Sequence, residues 1–158
     1  MRVTRFWDVN KVSEEKIESL IRGWRAAIEK AEVEKALSFV AEDVVWINNE
    51  GTFKGKEEWK RYLTWMVKVN RDLKFQDAGI GVMTKGNKAV SQFTIEAKTS
   101  DGMKYEVPGV CLYEFKNEKI QQHWSVSDRL SVAKQAAKGT FAKRVVGAVV
   151  KGCEKGLR

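Results

Sequence analysis

Cysteine and histidine are nearly absent from this sequence, and each scarcity excludes a class of protein. The two cysteines, Cys111 and Cys153, form no C-x-x-C pair, and His123 is the single histidine. A zinc site built from Cys and His needs more ligands than that, so no metal is expected. Two thiols in a chain of this length do not make a disulfide scaffold, and they are expected to stay reduced. The longest aliphatic stretch, Val145–Val150, is far short of the ~18 residues of a membrane span. Met1–Asn10 lacks the apolar centre of a secretory leader, and no Asn-x-Ser/Thr sequon occurs. These absences together lead to an expected cytoplasmic location. Nucleotide motifs are missing too. Gly79-Ile80-Gly81 is a lone Gly-x-Gly with no helix after it, and Gly55-Lys56-Glu57 lacks the rest of a phosphate loop. No organic cofactor is therefore expected.

What is present describes a globular domain. The hydrophobic fraction of 43% and charged fraction of 32% suit a chain with one core, and 158 residues suit one domain. The net charge of +8 is uneven. Residues 134–158 hold seven basic side chains against one acid, so the body is nearly balanced and the tail is basic. The plain reading of such a run is a solvated helix face. Without an aromatic stacking platform outside the core, the sequence argues against nucleic acid as a partner.

Periodicity then orders the chain. Ser13-Glu14-Glu15 reads as a helix start, a cap followed by acids in the first turn. Ile17, Leu20, Ile21, Trp24 and Ile28 follow at helical spacing. Val33–Val40 continues as a shorter helix, Val44–Ile47 is a strand, and Asn48–Gly51 turns it. A third helix follows Gly55. Residues 73–83, 89–98, 104–115 and 120–130 read as four strands separated by turns. Helices followed by hairpin-linked strands predict an α+β fold, N-terminal helices packed on a strongly curved antiparallel sheet. Pro108-Gly109 predicts a bulge or an edge position. Residues 139–158 form a basic helical extension beyond a domain of residues 1–138. Its stripe of Ala142, Val145, Val146, Val149 and Val150 is interrupted by Gly147 and Gly152, so it is expected to need docking against the protein.

Two stretches carry a family resemblance. Phe39-Val40-Ala41-Glu42-Asp43-Val44-Val45-Trp46, with Trp24–Ile28 before it and Gly55-Lys56-Glu57 after it, is one. Leu112–Ile120 through Asp128 is the other. Together they resemble the SnoaL-like proteins of the nuclear transport factor 2 and ketosteroid isomerase superfamily. The resemblance implies a cone-shaped sheet with a mostly apolar pocket on its concave side. It also implies that Asp128 stands where such proteins often have a catalytic carboxylate. The tyrosine donor of the isomerases is replaced by Trp24 and their aspartate base by Asn48. An amide cannot abstract a proton, so that mechanism does not transfer.

The residues support two readings. Strict alternation puts Ile120, Gln122, Trp124, Val126 and Asp128 on one face, taken as the inward one, with His123 outside unless a bulge intervenes. Asp128 would then sit in apolar surroundings that raise its pKa and suit it to proton transfer. Trp24 and Asn48 would donate hydrogen bonds, while Trp46, Trp59, Tyr62 and Trp124 would wall a pocket for a small apolar or cyclic molecule. The same residues are also compatible with a cap at Asp128 and a filled core. The alternative is therefore a non-catalytic module with a filled pocket. A homodimer through the outer sheet face is expected on either reading, because residues 107–113 are apolar on both sides.

Overall fold

The computed structural model describes residues 12–155, so the expectation about Met1–Asn10 lies outside the described residues. The first helix, α1 (Glu14–Glu29), starts as its sequence predicts. The Ser13 hydroxyl accepts from the Lys16 amide at 3.2 Å, and Glu14 and Glu15 complement the helix dipole. Ile17, Ile21, Trp24 and Ile28 form its buried stripe. A short α2 (Val33–Leu37) leads into β1 (Val40–Asn48). The Asn48 side chain then accepts from the amides of Glu50 and Gly51, at 2.8 and 3.1 Å, and folds the chain into β2 (Gly51–Lys54). This four-residue strand is too short to register in a periodicity argument. At the start of α3 (Gly55–Val69) the Glu58 carboxylate accepts from the Lys54 amide at 2.6 Å, and Trp59, Tyr62 and Leu63 face the core.

Four strands follow: β3 (Asn70–Lys85), β4 (Lys88–Thr99), β5 (Lys104–Lys116) and β6 (Lys119–Ser127). Their ends fall within three residues of the sequence-based spans. The sheet order is β2-β1-β6-β5-β4-β3. Every junction is antiparallel except β1–β6, which is parallel. The sheet is thus antiparallel at four of its five junctions, as expected, with one parallel junction added. The last strand enters between β5 and β1, and the direction set by its hairpin with β5 runs along β1. Helices α1 and α3 pack against β3 and β1 on one face of this curved sheet.

Irregularities produce the curvature. Gly79 and Gly81 adopt positive φ of 52° and 60° where the β3–β4 register slips between Asp77 and Val82. The Gln92 side chain occupies the space a Gly79 Cβ would need and accepts from the Ile80 amide. The Gly-x-Gly is thus a structural bulge. Pro108 pairs with Thr94 of β4 without a register shift, and on the other side, where β6 ends opposite Gly109, its carbonyl accepts from the Asp128 amide at 3.2 Å.

The basic tail is two helices, α4 (Arg129–Ala136) and α5 (Gly139–Glu154), separated by extended backbone at Ala137 and Lys138. Helix α4 packs on β5, and the main contact of α5 is α4. The expected docking of α5 over the sheet or pocket is not seen, and no α5 residue is buried. What α5 packs on instead is α4, across the extended backbone of Ala137 and Lys138.

Candidate functional site

Between the concave sheet face and helices α1 and α3 lies a cavity of about 120 Å³. Trp24 comes to it from α1, Trp46 and Asn48 from β1, and Tyr62 from α3. Alternation in β1 and helical spacing in α1 and α3 bring these four together. Trp59 stands behind them. It is fully buried and packs on Trp24 and Trp46, with ring centroids 6.2 and 4.6 Å away.

The β6 wall differs from expectation. Phe115 pairs with Ile120 while Glu114 pairs with Gln122, so Gln121 is an extra residue. This bulge inverts the parity downstream of Ile120. His123 turns inward at 1% exposure, and Trp124 turns outward at 51%. The imidazole stacks between Tyr113 and Trp46, at 4.7 and 4.9 Å, and neither ring nitrogen has a hydrogen-bond partner. Burial first, and the Arg25 charge second, push its pKa down to about 3. Trp124 therefore cannot wall the cavity.

Asp128 needs the same correction. It is exposed, and it caps α4 by accepting from the Ser131 amide at 2.9 Å. β6 has ended at Ser127, so strand parity no longer governs its direction. Of the two roles the sequence left open, the cap is the one adopted.

A different carboxylate lines the cavity. Glu50, in the β1–β2 turn, accepts from the Tyr62 hydroxyl at 2.9 Å and pairs with Arg129 at the start of α4. Glu50 is the one Asp or Glu among the described lining residues. Burial pushes Tyr62 up to about 12 and Cys111 up to about 12, and Tyr113 also rises well above its ordinary value. Tyr62, Cys111, Tyr113 and His123 are therefore neutral near pH 7, able to hydrogen-bond but poorly suited to exchange protons. Buried donors remain unused. Trp24 Nε1 and Asn48 Nδ2 have no partner, although both residues line the cavity. Among the described residues, no three His, Cys, Asp or Glu side chains converge to hold a metal ion.

The sequence matches the SnoaL-like domain family over residues 21–123, which is more than half of the chain. The protein belongs to the SnoaL-like family. Among curated proteins no sequence match is found. Solved structures share the fold. A candidate SnoaL-like polyketide cyclase from Shewanella putrefaciens CN-32 superposes with a TM-score of 0.70 at 12% identity, covering 80% of this chain and 98% of that one. A protein with a ketosteroid isomerase-like fold from Catenulispora acidiphila DSM 44928, in complex with trimethylamine, gives 0.69 at 15% identity, covering 76% and 93%. TerC co-crystallised with polyporic acid gives 0.67 at 18%, covering 76% and 97%.

The rest of this SnoaL-like architecture contains two features of note. Beneath the cavity, Arg25 is 5% exposed. Its guanidinium stacks on Phe93 and Phe75, donates to Asp77 at 2.8 Å and bonds the buried Ser91 hydroxyl. Helical periodicity assigns Arg25 to the solvent side, and only the long β3 arching over α1 reverses that. On the outer sheet face, Ile47, Ile80, Met83, Leu112 and Trp124 surround an open apolar groove of about 480 Å³. The alternation of Val110 and Leu112 with Val107, Cys111 and Tyr113 points to this division, and the two sets do face opposite sides. His123 and Glu50 had no such signal. One depends on a bulge and the other on a turn closing toward a distant helix. Among the described residues, no helix is long and apolar enough to cross a membrane.

Proposed function

We propose that the chain binds a small cyclic, mainly apolar molecule with a carbonyl or hydroxyl oxygen in the cone cavity, and transfers a proton on it through Glu50. The observation that carries this reading is the pair of unpartnered donors, Trp24 Nε1 and Asn48 Nδ2, on a wall that also presents the aromatic rings of Trp46, Tyr62 and Phe93. A buried polar group without a partner costs about 1–3 kcal/mol, and a ligand oxygen would recover it. Small molecules occupy two of the similar structures, in support of the same use of the fold. Glu50, rather than Asp128, is the group suited to proton transfer, because it is the cavity's carboxylate. It would take a proton from a carbon next to the ligand carbonyl; the C–H pair would become the carbon–carbon double bond, and the carbonyl π pair would move onto the oxygen as an enolate. Trp24 and Asn48 would hold that oxygen, and Glu50 would return the proton. No metal or organic cofactor takes part in these steps.

The test is a titration with cyclohexanone and methylcyclohexane, followed by tryptophan fluorescence, together with NMR of α-proton exchange of cyclohexanone in deuterated water. Cyclohexanone should bind at least ~10-fold more tightly than the hydrocarbon, a preference worth about 1.4 kcal/mol. N48L should erase that preference. E50Q should keep binding and lose exchange. Equal binding of both probes, or exchange that survives E50Q, would refute the respective half.

The outer face supports a second element of the proposal, docking of a second copy. Its exposed Leu112 and Trp124 flank a groove too apolar to stay in water without cost. Sedimentation of the wild type should give a dimer, and L112E/W124E should give a folded monomer. A wild-type monomer at tens of micromolar (about −6 kcal/mol for a dissociation constant there) would end this part.

A further inference from the structure

Helix α5 has two apolar faces and uses only one. Val146 and Val150 line a groove with Lys134 of α4 and are half-buried. Phe141, Val145 and Val149, spaced four apart on a neighbouring face, are 81%, 49% and 52% exposed. Arg144, Lys151 and Lys155, at i, i+7 and i+11, form the adjoining face, and all three are exposed. Lys138, just before the helix, pairs with Asp101 at 2.6 Å. Among the described residues, Arg144, Lys151 and Lys155 have no carboxylate partner.

An occupant of this surface must satisfy a strip of apolar side chains and, beside it, a row of cations. A second copy offers its outer-face groove, but in the dimer proposed above that groove is already covered by the other copy's outer face. A nucleic acid would meet the cations and leave Phe141 in water. Apolar depth beneath a layer of anions meets both demands. We infer that α5 attaches the protein to an anionic lipid surface. Phe141, Val145 and Val149 enter the boundary of the acyl chains, and Arg144, Lys151 and Lys155 meet the headgroup phosphates. The attachment is peripheral and reversible, since the apolar strip is short and valine is a modest anchor. It is independent of what the cavity binds.

The test uses the full chain and sedimented vesicles of phosphatidylcholine, alone or with one third phosphatidylglycerol. Binding should require phosphatidylglycerol and weaken as salt rises from about 100 mM to 1 M, where screening shortens to about 3 Å. R144Q/K151Q should lower partitioning about thirtyfold, taking each basic residue near the surface at its usual worth. F141S/V145S should lower it at least ~10-fold while the melting temperature is unchanged, because this helix buries none of its residues in the domain. Failure to sediment with anionic vesicles would overturn the inference. So would F141S/V145S binding vesicles like the wild type, a duplex oligonucleotide binding more tightly than the vesicles at equal salt, or F141S/V145S dissociating a dimer.

Discussion

The buried imidazole of His123 makes the protein sensitive to mild acid, and the size of the effect follows from its surroundings. The ring is 1% exposed, is held between two aromatic rings, and has no partner for either nitrogen. Its pKa in the folded protein is about 3, compared with an ordinary value of 6.5. Below pH 6.5 the unfolded chain takes up a proton that the folded chain refuses, so stability falls with pH until the folded group also titrates near pH 3. Integrating this difference from pH 7.5 to 5.0 gives a loss of about 2 kcal/mol from this one residue. Asp43, Asp72 and Asp101, whose pKa values are lowered by their hydrogen-bond partners, lose their contribution only below pH 4. Glu32, lowered by Lys35, does so below about 4.5. The window above pH 5 therefore isolates the histidine. H123F keeps a flat ring in the stack and removes both orphaned nitrogens. At pH 7.5 it should be within about 1 kcal/mol of the wild type, since deleting unpaired polar atoms offsets the slightly larger ring. Urea denaturation followed by far-ultraviolet circular dichroism at pH 7.5, 6.0 and 5.0 measures the effect. The wild-type midpoint should fall with pH while that of H123F stays nearly level. Parallel falls in the two proteins would refute the neutral, buried imidazole.

Two further substitutions separate packing from function. D128A should cost about 1 kcal/mol by removing the α4 cap, and should leave cyclohexanone affinity unchanged; calorimetry of the same samples reads both. D77N should cost about 3 kcal/mol in urea unfolding, because it leaves the Arg25 guanidinium buried without its counter-ion, whereas loss of the exposed Glu18–Arg22 pair in E18Q should cost under about 1 kcal/mol.

Local rules determined much of this protein before any tertiary contact was considered. The cap at Ser13, the apolar stripes of α1 and α3, and the turns between strands depend on neighbours within a few residues, and all stand where periodicity put them. The cavity positions of Trp24, Trp46, Asn48 and Tyr62 follow from those same periods. The SnoaL-like motifs added the order in which the elements assemble. The tertiary structure decided what depends on register between distant strands. Gln121 has no local mark of a bulge, yet the pairing of β6 with β5 makes it one and thereby exchanges His123 for Trp124 at the wall. Asp128 became a cap because β6 stops one residue earlier, and Glu50 lines the cavity from an exposed turn because Tyr62 and Arg129 hold its carboxylate there. A strand has a period of two, so one extra residue reverses every side chain beyond it, and only the partner strand determines whether that residue is paired or extruded.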